Sequence, residues 1–270
     1  MIDYSIIIDC PDSYLDILRV FFIFLDRNWK TRTHKIFITS QNEEIEHPTN
    51  VEFVKCGQGL NSIQRSKKAL ELIDTNYVLF IDCDDFIGKP ILNSNIDNML
   101  EYASINEIKY IRVWKTKNRE HRKYKTEYKK LYFCNRRARY SKSLMANFWQ
   151  KQEYLEVFKS DEADGWSVEG EWLKQTHFEN KGYYDSYCYF DVDPFHIVHA
   201  VSKGKWIKKA YKFAQHNGIS KDLLSSREKL PFKISFKQSI STFLMNHFPS
   251  SFCYRLKRVF GKKVDFTSNY

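Results

Sequence analysis

The chain has 270 residues, enough for one large domain or a domain with an appendage, and 43% are hydrophobic, which excludes wholesale disorder. Six prolines and nine glycines also exclude fibrous and low-complexity classes. The net charge of +10 invites a polyanion as partner, yet it is unevenly spread: residues 109–142 carry 14 Lys/Arg against 2 acids, residues 202–270 carry 15 against 3, and the remainder stands at −14.

Tyr4-Ser-Ile-Ile-Ile-Asp9 is a β-branched run that predicts a buried parallel strand. Pro11-Asp-Ser13 supplies turn and N-cap residues, and Tyr14 to Leu25 reads as an apolar helix. Lys35 to Thr39 and Val51 to Val54 predict the next strands, the first running into Ser40 and the second into Gly57 and Gly59. Ser62 to Ile73 reads as a helix, and Tyr77 to Ile81 as a fourth strand that stops at Asp82-Cys-Asp-Asp85. This alternation predicts an α/β fold with a doubly wound sheet, in which Asp9, Ser40, Gly57 and Asp82 converge on the edge where such sheets bind ligands. Beyond residue 105 the expectations are a strand over 108–114, a mobile basic loop over 115–142, helices over 141–158 and 166–178, an aromatic strand over 183–190, and a basic tail with helices around 205–216 and 233–247.

Six scattered cysteines without a CxxC pair argue against a zinc ribbon or redox motif, and the longest apolar run, Val20 to Leu25, is far short of a membrane span. No secretory pattern opens the chain, so the expected location is cytoplasmic, with reduced thiols.

Asp82, Asp84 and Asp85 place three acids after a buried strand, where they repel one another unless a cation holds them; carboxylates together with phosphate oxygens suit Mg²⁺ or Mn²⁺. A turn capping the next helix is the structural alternative. Cys83 lies between two acids, which raises a thiol's pKa and argues against nucleophilic use.

Ser5-Ile-Ile-Ile8 with Pro11, Gly57-Gln-Gly59 leading into Ser62-Ile-Gln-Arg65, and Phe80-Ile-Asp82-Cys-Asp84-Asp85 occur in this order at this spacing. Together they resemble the nucleotide-sugar half of GT-A glycosyltransferases, especially the bacterial inverting family 2. The resemblance implies a GT-A-like (Rossmann-like) mixed, mostly parallel sheet flanked by helices. Residues 1–205 would form the catalytic domain, divided at 105 into nucleotide-sugar and acceptor halves, and 206–270 a basic helical extension. It implies a nucleotide-sugar set of Asp9, Ser40, Arg65, Asp82 and Cys83. Asp9 would meet the base, Arg65 approach the nucleotide, Asp82 contact ribose or metal, and Asp84 bind the cation at the diphosphate. The first loop, Asp9-Cys-Pro-Asp12, departs from the family pattern and leaves the base open.

An inverting transferase needs a carboxylate to take the acceptor hydroxyl's proton. The family places one about eleven residues before a Gly-Tyr, which favours Glu171 ahead of Gly182-Tyr183, with Glu169 second; both could instead simply complement a helix dipole. Asp191, Asp193, His196 and His199 are late candidate ligands, and the expected metal set is Asp84, Asp82 and His199. Trp149, Trp166 and Trp172 are candidates for stacking on sugars, with core packing as the alternative.

The tail interleaves aromatics and cations, as in Phe232-Lys-Ile-Ser-Phe236-Lys237 and Phe252 to Lys263. That suits an anionic membrane surface at the inner face of the cell membrane, a packed helical extension, or, less well, a nucleic acid. The expectation is a Mn²⁺- or Mg²⁺-dependent glycosyltransferase acting on a nucleotide-diphosphate sugar and a glycan or polyprenyl-diphosphate-linked glycan of surface polysaccharide. A retaining GT-A transferase, a nucleotidyltransferase and a non-catalytic membrane or nucleic-acid adaptor are the alternatives.

Overall fold

The computed structural model describes residues 2–160, 165, 167–169, 171, 172, 182–249, 252, 253 and 255. The first half follows the hydrophobic pattern: β1 (Tyr4–Asp9), α1 (Leu15–Asn28), β2 (Ile36–Ser40), β3 (Val51–Lys55), α2 (Ser62–Glu71) and β4 (Tyr77–Asp82). β1, β2 and β4 are buried along almost their whole length, as parallel strands covered on both faces must be. Asn61 starts α2 through a reciprocal cap, accepting from Gln64 N at 3.0 Å while Gln64 Oε1 accepts from Asn61 N at 2.9 Å.

Next come β5 (Asp85–Ile87), α3 (Asn93–Ile105), β6 (Tyr110–Arg112), β7 (Tyr124–Lys125), β8 (Leu131–Asn135), β9 (Asn147–Gln150), α4 (Lys151–Val157) and β10 (Tyr183–Phe190). The expected mixed α/β architecture is present as a nine-stranded sheet of order β3-β2-β1-β4-β9-β6-β10-β8-β7, flanked by helices. β3, β2, β1 and β4 are mutually parallel, and beyond β4 the sheet becomes mixed. One core lies between the sheet and α1 and a second between the sheet and α2.

Two expectations fail in the second half. Residues 115–142 are not a mobile loop: they contain a 3₁₀ turn at Arg119–Arg122 and then β7 and β8, with Leu131 and Cys134 buried. The many lysines and arginines hide a short apolar run whose ladder to β10 supplies the missing signal. Residues 141–158 are helical only over α4; Asn147-Phe-Trp-Gln150 instead fills the slot between β4 and β6, pairing antiparallel with both. Two partners for one short aromatic run outweigh its helical periodicity.

The next described elements are β11 (Ile197–His199), β12 (Val201–Ser202), β13 (Lys205–Trp206), α5 (Lys208–His216), α6 (Lys221–Ser225) and α7 (Phe232–His247). Trp206, Ala210, Ala214, Ile219 and Leu224 join the α1 core, and Arg227 grips Asp16 with two 2.7 Å hydrogen bonds. Part of the tail's charge is thus consumed in seating it. None of the six cysteines forms a disulfide. Among the described residues, no helix is long and apolar enough to cross a membrane.

Candidate active site

The parallel register brings the ends of β1, β2 and β4 together, with Asp9 opposite both Thr39 and Asp82. Asp9 accepts hydrogen bonds from Thr39 Oγ1 (2.8 Å), Arg65 Nε (2.8 Å) and Arg65 Nη2 (2.6 Å), while Arg65 Nη1 donates to Leu60 O (2.7 Å). Burial works against the Arg65 charge, but Asp9 outweighs it and holds the guanidinium pKa above its ordinary value. Arg65 therefore orients Asp9. A cleft runs along this edge, lined by Asp9, Ser62, Ser66, Asp82, Asn147 and Tyr154. Burial, and then the neighbouring Asp85, Asp84 and Asp9, push the Asp82 carboxyl well above the usual range.

Ser40 and Cys83 sit differently. Ser40 is buried, its Oγ without a hydrogen-bond partner among the described residues, and it is not part of the cleft lining. The Cys83 side chain is in the core, and burial and Cys10 push its thiol well up, so it offers a ligand only backbone.

Immediately after β4 the chain turns back as β5, which pairs antiparallel with β11 and places His199 opposite Asp85. Gly88 permits this closeness: a Cβ there would lie 2.5 Å from His196 O. His199 Nδ1 is 2.8 Å from Asp85 Oδ1 and 3.8 Å from Asp84 Oδ2. These three side chains form a group with metal-ligand spacing. Asp85, which opens β5, stands in this group with Asp84 and His199, while Asp82 ends β4 and lines the cleft. The Asp85 carboxylate is fully buried and its Oδ2 has no hydrogen-bond partner, an orphan a cation would satisfy. Two carboxylates and an imidazole suit Mn²⁺ or Mg²⁺ when substrate oxygens complete the shell. Burial, opposed by His199 and reinforced by Asp85, leaves the Asp84 pKa pushed up to about 6. For His199, burial lowers the pKa, but Asp84, Asp85 and Asp82 overcome it and raise the value to about 10.

The other late candidates stand apart. Asp191 forms a bidentate pair with Arg122 (2.6 and 2.8 Å) and accepts from Tyr189 OH (2.7 Å), and Asp193 accepts from Ile197 N (3.3 Å). His196 is exposed. Of the two candidate bases, Glu171 is exposed, whereas Glu169 accepts from Ser143 Oγ (3.0 Å) and Leu144 N (2.6 Å). Burial raises the Glu169 pKa against the lowering effect of those two donors. The same stretch approaches the cleft at Gly165, where a Cβ would lie 3.0 Å from Leu144 Cδ1 and 3.3 Å from Ser62 Oγ, both on cleft-lining residues. Trp149 is fully buried in the core and cannot stack on a sugar. Trp172 is buried against Phe158, and Trp166 lies outside the described residues. The helix expected over 166–178 falls mostly outside them too.

Sequence reasoning did not pick out Arg112. It ends β6 on this edge, opposite Asn147, fully buried between Trp114 and Tyr189 with its Cζ 4.4 Å from each ring centroid. Nη1 donates to Tyr140 O, while Nε and Nη2 meet no hydrogen-bond acceptor at ordinary geometry among the described residues.

No family model matches the chain, and no curated protein matches it. Solved structures show a distant likeness. TarS residues 1–349 of S. aureus in complex with UDP is 13% identical, over 97% of this chain and 73% of that one, with a TM-score of 0.48. The galactosyltransferase LgtC with donor and acceptor sugar analogues is 11% identical over 86% and 99%, with a TM-score of 0.44. A cytidylyltransferase from Leptospira borgpetersenii is 12% identical over 100% and 98%, with a TM-score of 0.41. The chain spans about half, 52%, of the bifunctional IspDF from Campylobacter jejuni.

Proposed function

We propose that the protein is a divalent-metal-dependent glycosyltransferase that moves a sugar, with inversion, from a nucleotide-diphosphate sugar to a glycan or lipid-linked glycan acceptor of surface polysaccharide. The observation that carries this reading is the Asp84–Asp85–His199 group set directly beside the Asp9–Asp82 cleft at the carboxyl ends of parallel strands. Asp84, Asp85 and His199 would hold Mn²⁺ or Mg²⁺, which when bound neutralises a diphosphate leaving group. Asp9, fixed by Arg65 and Thr39, accepts three hydrogen bonds and keeps capacity for one more from the donor's base or ribose. Asp82 faces the cleft where the donor's ribose would lie.

The acceptor hydroxyl oxygen attacks the anomeric carbon, the bond from that carbon to the diphosphate oxygen breaks, and a carboxylate takes the hydroxyl proton. Glu169 fits this task better than Glu171. It is held next to the cleft-lining Leu144 by two donors to Oε1, leaving Oε2 for the proton, and its raised pKa makes it a stronger base.

The test is thermal unfolding with UDP, GDP and CMP, with and without Mn²⁺. One nucleotide should raise the melting temperature only with metal, by an amount equivalent to about 2.7 kcal/mol at 100 times its Kd. Absence of stabilisation under every condition would overturn the proposal.

A further inference from the structure

We propose that α7 is a docking face for an anionic lipid bilayer. Its inward side is mixed and is pinned by polar contacts: Gln238 Nε2 donates to Ser202 Oγ (2.9 Å), Thr116 Oγ1 donates to Asn246 Oδ1 (3.3 Å), and Ile234, Ser235, Ser241 and Leu244 are half-buried with them. The other side carries Phe232, Phe236, Ile240 and Phe243, which are 76%, 56%, 46% and 56% exposed. Steps of four, four and three residues put these four on one stripe. A helix on a globular surface ordinarily turns such a stripe inward; here it is turned out. Phe232 and Phe236 stack along it with centroids 5.9 Å apart. A contiguous exposed apolar face of this kind marks a contact surface.

The charge beside the stripe identifies the occupant. Lys233 and Lys237 are exposed next to the aromatics, and no Asp or Glu occurs between Lys229 and Val264. A second copy of the chain docking stripe to stripe would bring these lysines together with no acid to answer them. A bilayer with anionic headgroups supplies both apolar depth for the rings and counter-charge for the lysines. At 16 residues the helix is about 24 Å long, so it would lie along the surface rather than cross it. Its anchor, Ser202, lies three residues beyond His199, so docking places the bilayer close to the acidic group. The inference rests on the α7 surface and not on the transferase reading.

The test is sedimentation of the full chain with vesicles of phosphatidylcholine alone or mixed with phosphatidylglycerol. Binding should favour the mixed vesicles and weaken as salt is raised. Phe236→Ser with Phe243→Ser should lower partitioning by roughly tenfold or more. Lys233→Gln with Lys237→Gln should lower binding to the mixed vesicles by roughly twenty-five-fold, two cations at about a factor of five each. All four side chains are exposed, so the variants should melt with the parent, and circular dichroism checks this. Equal binding to both vesicle types, or aromatic variants that bind like the parent, would overturn the assignment. So would light scattering that shows a dimer which the aromatic variant converts to monomer, because the stripe would then be covered by a second copy.

Discussion

At the ends of β1 and β4 the sheet edge carries carboxylates that draw cations to them, whereas at the end of β6 it carries a guanidinium to which no carboxylate among the described residues is paired. Asp9 is neutralised internally by Arg65, and Asp84 and Asp85 are only partly answered by His199. Arg112, four strands from β2 along the same sheet, is held by the faces of Trp114 and Tyr189 and by one carbonyl. Burial pushes its pKa down from the ordinary value, with Tyr110, Cys134 and Tyr189 opposing. The acidic half thus holds a group that could take up a cation from outside, whereas the basic half's guanidinium is covered by aromatic rings.

The largest expected effect strikes the acidic half. Glu169→Gln should cut sugar transfer by about 10²–10⁴-fold while donor binding survives, measured as turnover against nucleotide titration. Transfer retained at full rate would return the role to Glu171. Arg65→Met should lower unfolding free energy by roughly 3 kcal/mol, since it leaves Asp9 charged and half-enclosed. Arg112→Met, by contrast, should be close to neutral or stabilising by about 1–4 kcal/mol, because it removes a buried charge that has no carboxylate. Denaturant unfolding of the two variants side by side reads this directly, and equal losses would dissolve the contrast between the halves.

Gly88→Ala should cost about 1–3 kcal/mol by forcing β11 away from β5, and should weaken Mn²⁺ binding in the same protein. The pH dependence tests the same group. His199 has a raised folded-state pKa, so in the metal-free protein its attraction to the carboxylates is fully present below the ordinary histidine value of 6.5 and is lost as pH rises through about 10. Metal binding must displace that proton, so Mn²⁺ affinity should climb about tenfold per pH unit from 7 to 9. It should drop further below pH 6 as Asp84 takes a proton. Titrations in buffers of different ionisation enthalpy would count the protons released.

Legibility in the sequence follows the same division. β1, β2 and β4 announce themselves because strands buried on both faces are nearly continuous apolar runs, and the convergence of their ends at Asp9 and Asp82 follows from parallel order. β8 and β9 do not, because one is framed by basic residues and the other sits in a stretch with helical periodicity; only their ladder partners define them. The Asp85–His199 contact is hidden in the sequence for a related reason. Pairing Asp85 with His199 requires the β5–β11 ladder, which joins residues 114 apart in sequence. The one available signal was the third acid of Asp82-Cys-Asp-Asp85, one position beyond the usual spacing.

The proposed function requires that Asp84, Asp85 and His199 hold a divalent cation that in turn binds a nucleoside diphosphate beside Asp9. Isothermal titration of UDP and GDP into the parent chain and into Asp85→Asn, each with Mn²⁺ or with chelator, tests it most directly. One diphosphate should bind the parent only with Mn²⁺, and the variant should lose that binding by at least about tenfold. Binding that ignores both the chelator and the substitution would contradict it.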